Sequence, residues 1–380
     1  MTSTPNSEER VAAPAFSSGD HAFMARALRL AERGAWTTKP NPMVGCVLVR
    51  DDDVVGEGWH QRAGGAHAEV HALQAAGDRA RGATAYVTLE PCAHTGRTGP
   101  CAEALVAAGV ARVVAAMRDP FPQVSGQGFE RLRAAGIAVE SGLMEAQARQ
   151  LNRGFLSRIE RGRPWVRVKL ATSLDGRTAL ASGESKWISG EASRRDVQYW
   201  RARSGAILTG AGTVLVDDPQ LTVRLEDGEE EFVPPLRVVL DPGLATVARG
   251  RIREGDAPTL YIHAPDAKPP RGLSAQVASV PVRAGRFDLE AVLRLLAERH
   301  HVNEVQVESG ATLAGALLAA NLVDEVLLYV APVLMGAQAR PLFSGLDIGS
   351  MAERLQLSLI ETRQLGEDTR LLLQPAAPAG

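Results

Sequence analysis

Three short stretches of this sequence carry side chains that can hold a metal ion: His67-Ala68-Glu69, Pro91-Cys92 and Cys101. Two thiolates and one imidazole are a donor set suited to zinc, and three protein ligands leave the fourth tetrahedral position for water. The ion lowers the pKa of that water enough to supply hydroxide near neutral pH, even when two thiolates neutralise its charge. A carboxylic acid beside the water can carry a proton from it to a leaving nitrogen. Glu69, two residues from the imidazole, is the candidate. The insert between the cysteines, Ala93-His94-Thr95-Gly96-Arg97-Thr98-Gly99-Pro100, offers hydroxyls, a guanidinium and open backbone amides, a suitable seat for a substrate phosphate.

Other donors compete for the metal. His71 follows His67 by four residues, and on a regular helix that pair shares a face whereas His67 and Glu69 do not. The His67 and Glu69 reading therefore requires His67 to precede the helix or open its first turn, which Gly64-Gly65 favours. His94, two residues from Cys92, is a further possible donor. We rank His67, Cys92 and Cys101 above both, with His71 packed against a sheet and Cys46, inside an apolar run, a small buried hydrophobe. A structural zinc normally has four protein ligands, so three ligands beside an acid favour catalysis.

The second half holds a different set. Lys169 to Arg177, Ser185 to Ser189, Thr209 to Val214, Asp217 to Arg224 and Glu308 to Gly315 combine polar residues with glycines at turns. Gly210, Gly212 and Gly310 suit close approach of the backbone to phosphates, with a helix N-terminus behind Gly310. Leu215 stands where a dinucleotide fingerprint needs its third glycine, and no lysine follows Gly315 as a P-loop requires. Read alone, each of these loops is equally a tight turn.

The elements that must position these residues alternate. Apolar runs at 44–49, 83–89, 110–117 and 137–139 read as strands, with 54–58 a hairpin return after Asp51 to Asp53. Helices are expected at 68–76, 102–108 and 129–135, which makes an α/β domain on a largely parallel sheet. The basic stretch Arg153 to Pro164, with two glycines, is read as the domain boundary. Beyond it strands at 165–170, 206–208, 237–240, 259–262, 304–307 and 326–330 alternate with helices at 190–203, 289–299 and 313–320. The expected domains are a flexible leader at 1–20, a first domain at 21–160 and a second at 161–375.

With 380 residues, about two or three domains are the prior. The composition, 45% hydrophobic and 23% charged, is that of an ordinary globular chain. Three cysteines argue against a disulfide scaffold. The net charge, 42 − 44 = −2, and the lack of basic stretches interleaved with aromatics speak against a nucleic-acid partner. The most apolar stretch, 311–335, is broken by Asn321, Asp324 and Glu325, so no membrane span is expected, and no secretory signal opens the chain. A cytoplasmic location is the simplest expectation.

H-x-E followed by P-C-x-x-C is the signature of zinc deaminases, a pattern recognised as such, and this chain departs from it only in the eight residues between Cys92 and Cys101. With that spacing, Lys39-Pro40-Asn41-Pro42-Met43-Val44-Gly45, His67-Ala68-Glu69-Val70-His71-Ala72 and Glu90 to Cys101 resemble the bifunctional riboflavin-biosynthesis deaminase-reductase family. The resemblance extends over nearly all of the chain from His21 onward. It implies a cytidine-deaminase-like α/β/α domain followed by a dihydrofolate-reductase-like α/β domain. The first would use one zinc per chain to deaminate 2,5-diamino-6-(5-phosphoribosylamino)pyrimidin-4(3H)-one, with Asn41 helping to hold the pyrimidine. The second would use NADPH to reduce the ribosyl group through its ring-opened Schiff base.

Carried over position by position, Ala171, Trp187, Thr213, Asp217 and the segment Gly310, Ala311, Thr312, Leu313, Ala314, Gly315, Ala316 match cofactor-contacting positions. Ser185, Arg201, Leu221, Arg224 and Glu308 match positions facing the substrate. Arg201 and Arg224 are chemically suited to a ribose 5-phosphate, while Arg194, Arg195 and Arg203 read as a solvated helix face. Lys169 and Asp175 are the titratable candidates for a proton donor. A homodimer is implied by the resemblance alone.

Overall fold

The computed structural model describes residues 16–93, 99–121, 125–226 and 231–376. Most of the expected leader, together with His94 and the phosphate seat at 94–98, lies outside these residues. The chain divides into two units, one formed by the residues up to Gly34 and by Met43–Leu151, the other by Ala35–Pro42 and the residues from Asn152 onward.

The first unit runs α1 (Ser18–Glu32), β1 (Gly45–Arg50), β2 (Asp53–Trp59), α2 (Ala68–Ala76), β3 (Thr84–Val87), α3 (Cys101–Ala108), β4 (Arg112–Ala115), α4 (Gln127–Ala134), β5 (Ala138–Ser141) and α5 (Glu145–Leu151). Its sheet has the order β2-β1-β3-β4-β5. The expected largely parallel sheet is in fact mixed: β1 is antiparallel to both neighbours and only β3-β4-β5 are parallel. The cause is local, because Asp51 and Asp52 both adopt positive φ (51° and 64°), the turn geometry that folds a strand straight back.

Helix α1 was not anticipated, and its first three residues fall in the stretch read as leader. Ser17 and Asp20 form a reciprocal capping box, the sequence signal that was available. Asp20 then accepts the Tyr86 hydroxyl and an Arg112 nitrogen, both at 2.7 Å. Burial raises the Asp20 carboxyl, but Arg112 and Tyr86 outweigh it and hold it well below the usual range.

Helix α2 lies on the β1-β2 ribbon through Ala68, Ala72 and Ala76, which join Cys46, Leu48 and Val55 in the core. The approach is close enough that a Cβ at Gly58 would fall 2.5 Å from His71 Cβ and 2.7 Å from the Ala68 carbonyl oxygen. Gly58→Val should therefore force the helix off the sheet, at about 3 kcal/mol of overpacking. Denaturant unfolding measures that loss, and an unchanged midpoint would mean the helix yields without strain.

The second unit contains α6 (Arg153–Arg161), β6 (Trp165–Ser173), β7 (Arg177–Ala179), α7 (Glu191–Arg203), β8 (Ala206–Gly210), α8 (Ala211–Asp217), β9 (Leu236–Leu240), β10 (Thr259–His263), β11 (Gln276–Ser279), β12 (Val282–Arg283), β13 (Arg286–Phe287) and α9 (Leu289–His300). It continues through β14 (Glu304–Glu308), α10 (Ala311–Ala319), β15 (Glu325–Ala331), β16 (Arg340–Pro341), β17 (Leu357–Leu365) and β18 (Asp368–Pro375). Nine strands form one sheet, β11-β10-β9-β8-β14-β6-β15-β18-β17. It is parallel from β11 through β15, and the β17-β18 hairpin adds an antiparallel edge.

The basic stretch read as a boundary is the helix α6 and its exit. Its charges are paired: Arg153 reaches Glu325, Arg161 and Arg163 both reach Asp324, and Arg158 donates to Asn303. Arg167, fully buried in β6, bridges Glu304 and Glu325 at 2.8 and 2.6 Å.

Candidate active sites

His67 is the N-cap of α2, with extended backbone (φ −77°, ψ 166°), while Glu69 lies in the first turn. The imidazole therefore precedes the helix, as the choice of His67 over His71 required. Cys101 opens α3, and its N–H donates to Cys92 Sγ at 3.3 Å. His67 Nδ1 stands 3.2 Å from Cys101 Sγ and 3.5 Å from Cys92 Sγ. Among the described residues these three form the group that can hold a metal, with donor atoms all within 4.8 Å of one another. One nitrogen and two sulfurs fit zinc, and the count of three fits an open site.

The Cys92 thiol is drawn down to about 4 by its hydrogen bond with Cys101, with His67 acting in the same sense against burial, and Cys101 is pushed the other way. Hydrogen bonding to Cys92 raises the His67 imidazole. Glu69 is buried, and burial pushes its carboxyl up to about 7. Cys46 is fully buried, as its apolar setting in the sequence suggested.

Two further residues shape this site. The His60 ring packs edge-on against His67 with centroids 5.5 Å apart, and its Nδ1 lies 3.0 Å from the Ala66 carbonyl. Nothing in the local sequence distinguishes His60, because the contact depends on β2 and α2 meeting. Glu90 accepts the backbone N–H groups of Asp119, Gly126 and Gly128 at 2.9–3.1 Å, tying that segment to the strand end that leads to Cys92. Asn41 falls in the segment that groups with the second unit. There Lys39 donates to the carbonyls of Ala202, Ser204 and Val233, and burial lowers its ammonium to about 7.

In the second unit the parallel strands β6, β8 and β14 deliver Ala171, Gly210 and Glu308 toward the carboxyl edge of the sheet, where open α/β sheets bind ligands. Glu308 is held bidentately by Arg201, Nε to Oε1 at 2.7 Å and Nη2 to Oε2 at 2.8 Å, while Arg201 Nη1 donates to the Thr222 carbonyl at 2.9 Å. Burial raises the Glu308 carboxyl, but Arg201 outweighs it and holds the group at about 2. Lys169, beside Glu308 in register, is half-buried, and desolvation pushes its ammonium down against the pull of Glu308.

Asp175 is committed elsewhere, accepting the Ser173 hydroxyl at 2.5 Å and the amides of Met335 and Gly336. Arg224 lies 3.3 Å from Gln220 Oε1 and Thr222 Oγ1, and among the described residues no carboxylate pairs with it. Leu221 is buried at φ 51°.

Trp187 is 73% exposed, with the Arg194 guanidinium 4.7 Å over its ring. Ser185 is half-buried and Thr213 lies in the first turn of α8, which ends at Asp217. Gly310 caps α10, leaving Ala311 and Thr312 accessible, whereas Ala314 is in the core and Gly315 admits the Ser344 carbonyl, 1.9 Å from where a Cβ would lie. Leu313 packs partly on that core and Ala316 is half-buried. The expected solvated arginine face is corrected at Arg203, which pairs with buried Glu304 at 3.0 Å; Arg194 stacks over the exposed Trp187, and the exposed Arg195 pairs with Glu226.

Residues 17–117 match the cytidine and deoxycytidylate deaminase zinc-binding region, and residues 164–371 match the RibD C-terminal domain. The riboflavin biosynthesis protein RibD of Escherichia coli (strain K12) is 50% identical over 363 residues, covering 93% of this chain and 99% of that protein. The structure of Acinetobacter baumannii RibD is similar with a TM-score of 0.87 and 46% identity, over 94% of this chain and 99% of the other. A Thermotoga maritima structure, named a diaminohydroxyphosphoribosylaminopyrimidine deaminase/5-amino-6-(5-phosphoribosylamino)uracil reductase, has a TM-score of 0.83 and 34% identity, with the same coverage. Among the described residues no helix is long and apolar enough to cross a membrane.

Proposed function

This chain belongs to the RibD family of bifunctional riboflavin-biosynthesis enzymes, and on that premise we propose how its residues divide the work. The enzyme deaminates 2,5-diamino-6-(5-phosphoribosylamino)pyrimidin-4(3H)-one and then reduces the ribosyl side chain, giving 5-amino-6-(5-phosphoribitylamino)uracil. We assign the first step to residues 21–160 and the second to residues 161–375.

The observation that carries the deaminase reading is the meeting of three soft donors within 4.8 Å beside a buried acid. His67, Cys92 and Cys101 would hold zinc, which when bound supplies the Lewis acidity that makes water nucleophilic near neutral pH. Glu69 takes the proton released by the attacking water and passes it to the exocyclic nitrogen, so that ammonia leaves and a carbonyl remains. Its burial keeps bulk water from intercepting that proton. Asn41 is assigned to the pyrimidine on the family resemblance.

In the reductase, NADPH when bound supplies the hydride to C1′ of the ring-opened imine, and a proton goes to the nitrogen. The cofactor is assigned to Ala171, Trp187, Thr213, Asp217 and the segment Gly310 to Ala316. Of that segment, the accessible first turn of α10 suits a phosphate and the buried Ala314 and Gly315 support it from behind. The substrate is assigned to Ser185, Leu221, Arg224 and Glu308. Arg201 acts through Glu308, since its guanidinium is spent on that carboxylate and on Thr222. The 5-phosphate falls to Arg224. Lys169 is the proton carrier favoured by its position in register with Glu308, and Asp175 is set aside because loop amides already occupy it. A cytoplasmic homodimer is part of the proposal and is supported by the family resemblance alone.

The test supplies the diaminopyrimidine phosphoriboside with NADPH and follows ammonia and NADPH together. One NADPH should be consumed for each ammonia released, with ammonia leading. NADPH oxidation without ammonia would overturn the order of the two steps.

A further inference from the structure

Arg237, in β9, is 2% exposed, and its guanidinium meets only backbone. Nη1 donates to the carbonyls of Gln220 at 3.3 Å and Glu254 at 2.7 Å, and Nη2 donates to that of Ala257 at 2.6 Å. Among the described residues it has no carboxylate partner, and burial pushes its pKa down. A cation buried without a counterion is unfavourable against a neutral side chain of the same size. What this one gains is a bridge between two segments, 254–257 and the loop that leaves α8.

Helix α7 grips the same loop from its other end. Arg201 Nη1 donates to the Thr222 carbonyl, and buried Gln198 takes the Arg224 N–H on Oε1 at 3.0 Å. Between the two grips Leu221 drives its side chain into a small core with Ile207, Val214, Val239, Ile252 and Tyr261. It does so at φ 51°, a conformation a leucine keeps only when its surroundings dictate it. The product of these contacts is the placement of Arg224, whose guanidinium has no carboxylate partner among the described residues; its pKa is lowered by burial first and then by the like charges of Arg201 and Arg251, against the pull of Glu308. An incoming dianion would relieve that repulsion.

We propose that Arg237 and Gln198 are positioning residues of the reductase substrate site, clamping the two ends of Gln220–Arg224 so that the Arg224 guanidinium is presented to the substrate 5-phosphate. The proposal rests on the assignment of that phosphate to Arg224, and the test separates the two.

Full-length Arg224→Ala, Arg237→Met and Gln198→Ala are assayed for NADPH oxidation on pre-deaminated substrate and on the same compound lacking its phosphate. Arg224→Ala should raise the KM for the phosphorylated substrate by about thirtyfold. Arg237→Met and Gln198→Ala should raise it by about tenfold, with kcat within about twofold and the KM for NADPH unchanged. On the dephosphorylated compound both clamp variants should match the parent enzyme. Should Arg237→Met fail to fold, Gln198→Ala carries the test alone. An unchanged KM in the folded clamp variants, with Arg224→Ala impaired, overturns the clamp. A rise that persists without the phosphate also overturns it, by showing a general structural defect. An unaffected Arg224→Ala removes the phosphate assignment, and the clamp falls with it.

Discussion

Glu69→Gln is expected to lower kcat for ammonia release by about three orders of magnitude while leaving close to one zinc per chain. The substitution keeps the shape of a buried side chain and removes only its ability to hold and return a proton. Because Glu69 is 3% exposed, solvent has little access to take over the transfer. Cys101→Ser makes the useful contrast. It alters a donor of the His67, Cys92 and Cys101 group, so metal and deamination should be lost together. NADPH oxidation on pre-deaminated substrate should survive in both variants. Metal analysis with separate assays of the two half-reactions decides the matter. A Glu69→Gln enzyme working near the parent rate would give the proton to another group, and one lacking zinc would make Glu69 a ligand.

Arg201→Ala is expected to remove most reductase activity, about a hundredfold or more in kcat/KM, and to do so through Glu308. The two side chains are 10% and 11% exposed and joined by two hydrogen bonds, so deleting the guanidinium strands a carboxylate away from water. That loss should also appear in stability, at about 3 kcal/mol. The sign of its pH dependence follows from Glu308, whose carboxyl is held at about 2 against an ordinary 4.5. The pair stabilises the fold fully above pH 4.5, and the contribution fades as pH falls toward 2. In Arg201→Ala that acid-sensitive component should be missing. Denaturant melts of the parent and the variant at pH 7 and pH 3 measure it. A difference between the two proteins that does not shrink at pH 3 would show that the ion pair is not its source.

Much of the first site is legible in the sequence alone, because its chemistry is local. A His-x-Glu pair and a Pro-Cys mark their own roles by residue type, and periodicity placed α2 and the strands within a few residues. The capping box of α1 is equally local, Ser17 and Asp20 lying three residues apart at the end of the stretch read as a leader. The direction of β1 was less accessible, since an apolar run reads the same in parallel and antiparallel pairing.

Residue types and short spacings by themselves determined the donor set, the acid beside it and the alternation that makes each half an α/β layer. Which charges are spent and which are available was decided only in three dimensions. Arg201, suited by residue type to a phosphate, is joined in the fold to Glu308, 107 residues away, by two hydrogen bonds. Arg203 reads as part of a solvated helix face, yet Glu304, 101 residues away, pairs with it. Arg237 gave no sign at all, because its partners are backbone carbonyls that any sequence would supply. The reason is physical: a side chain's chemistry travels with its identity, but its free valences depend on which distant groups the fold brings within about 3 Å.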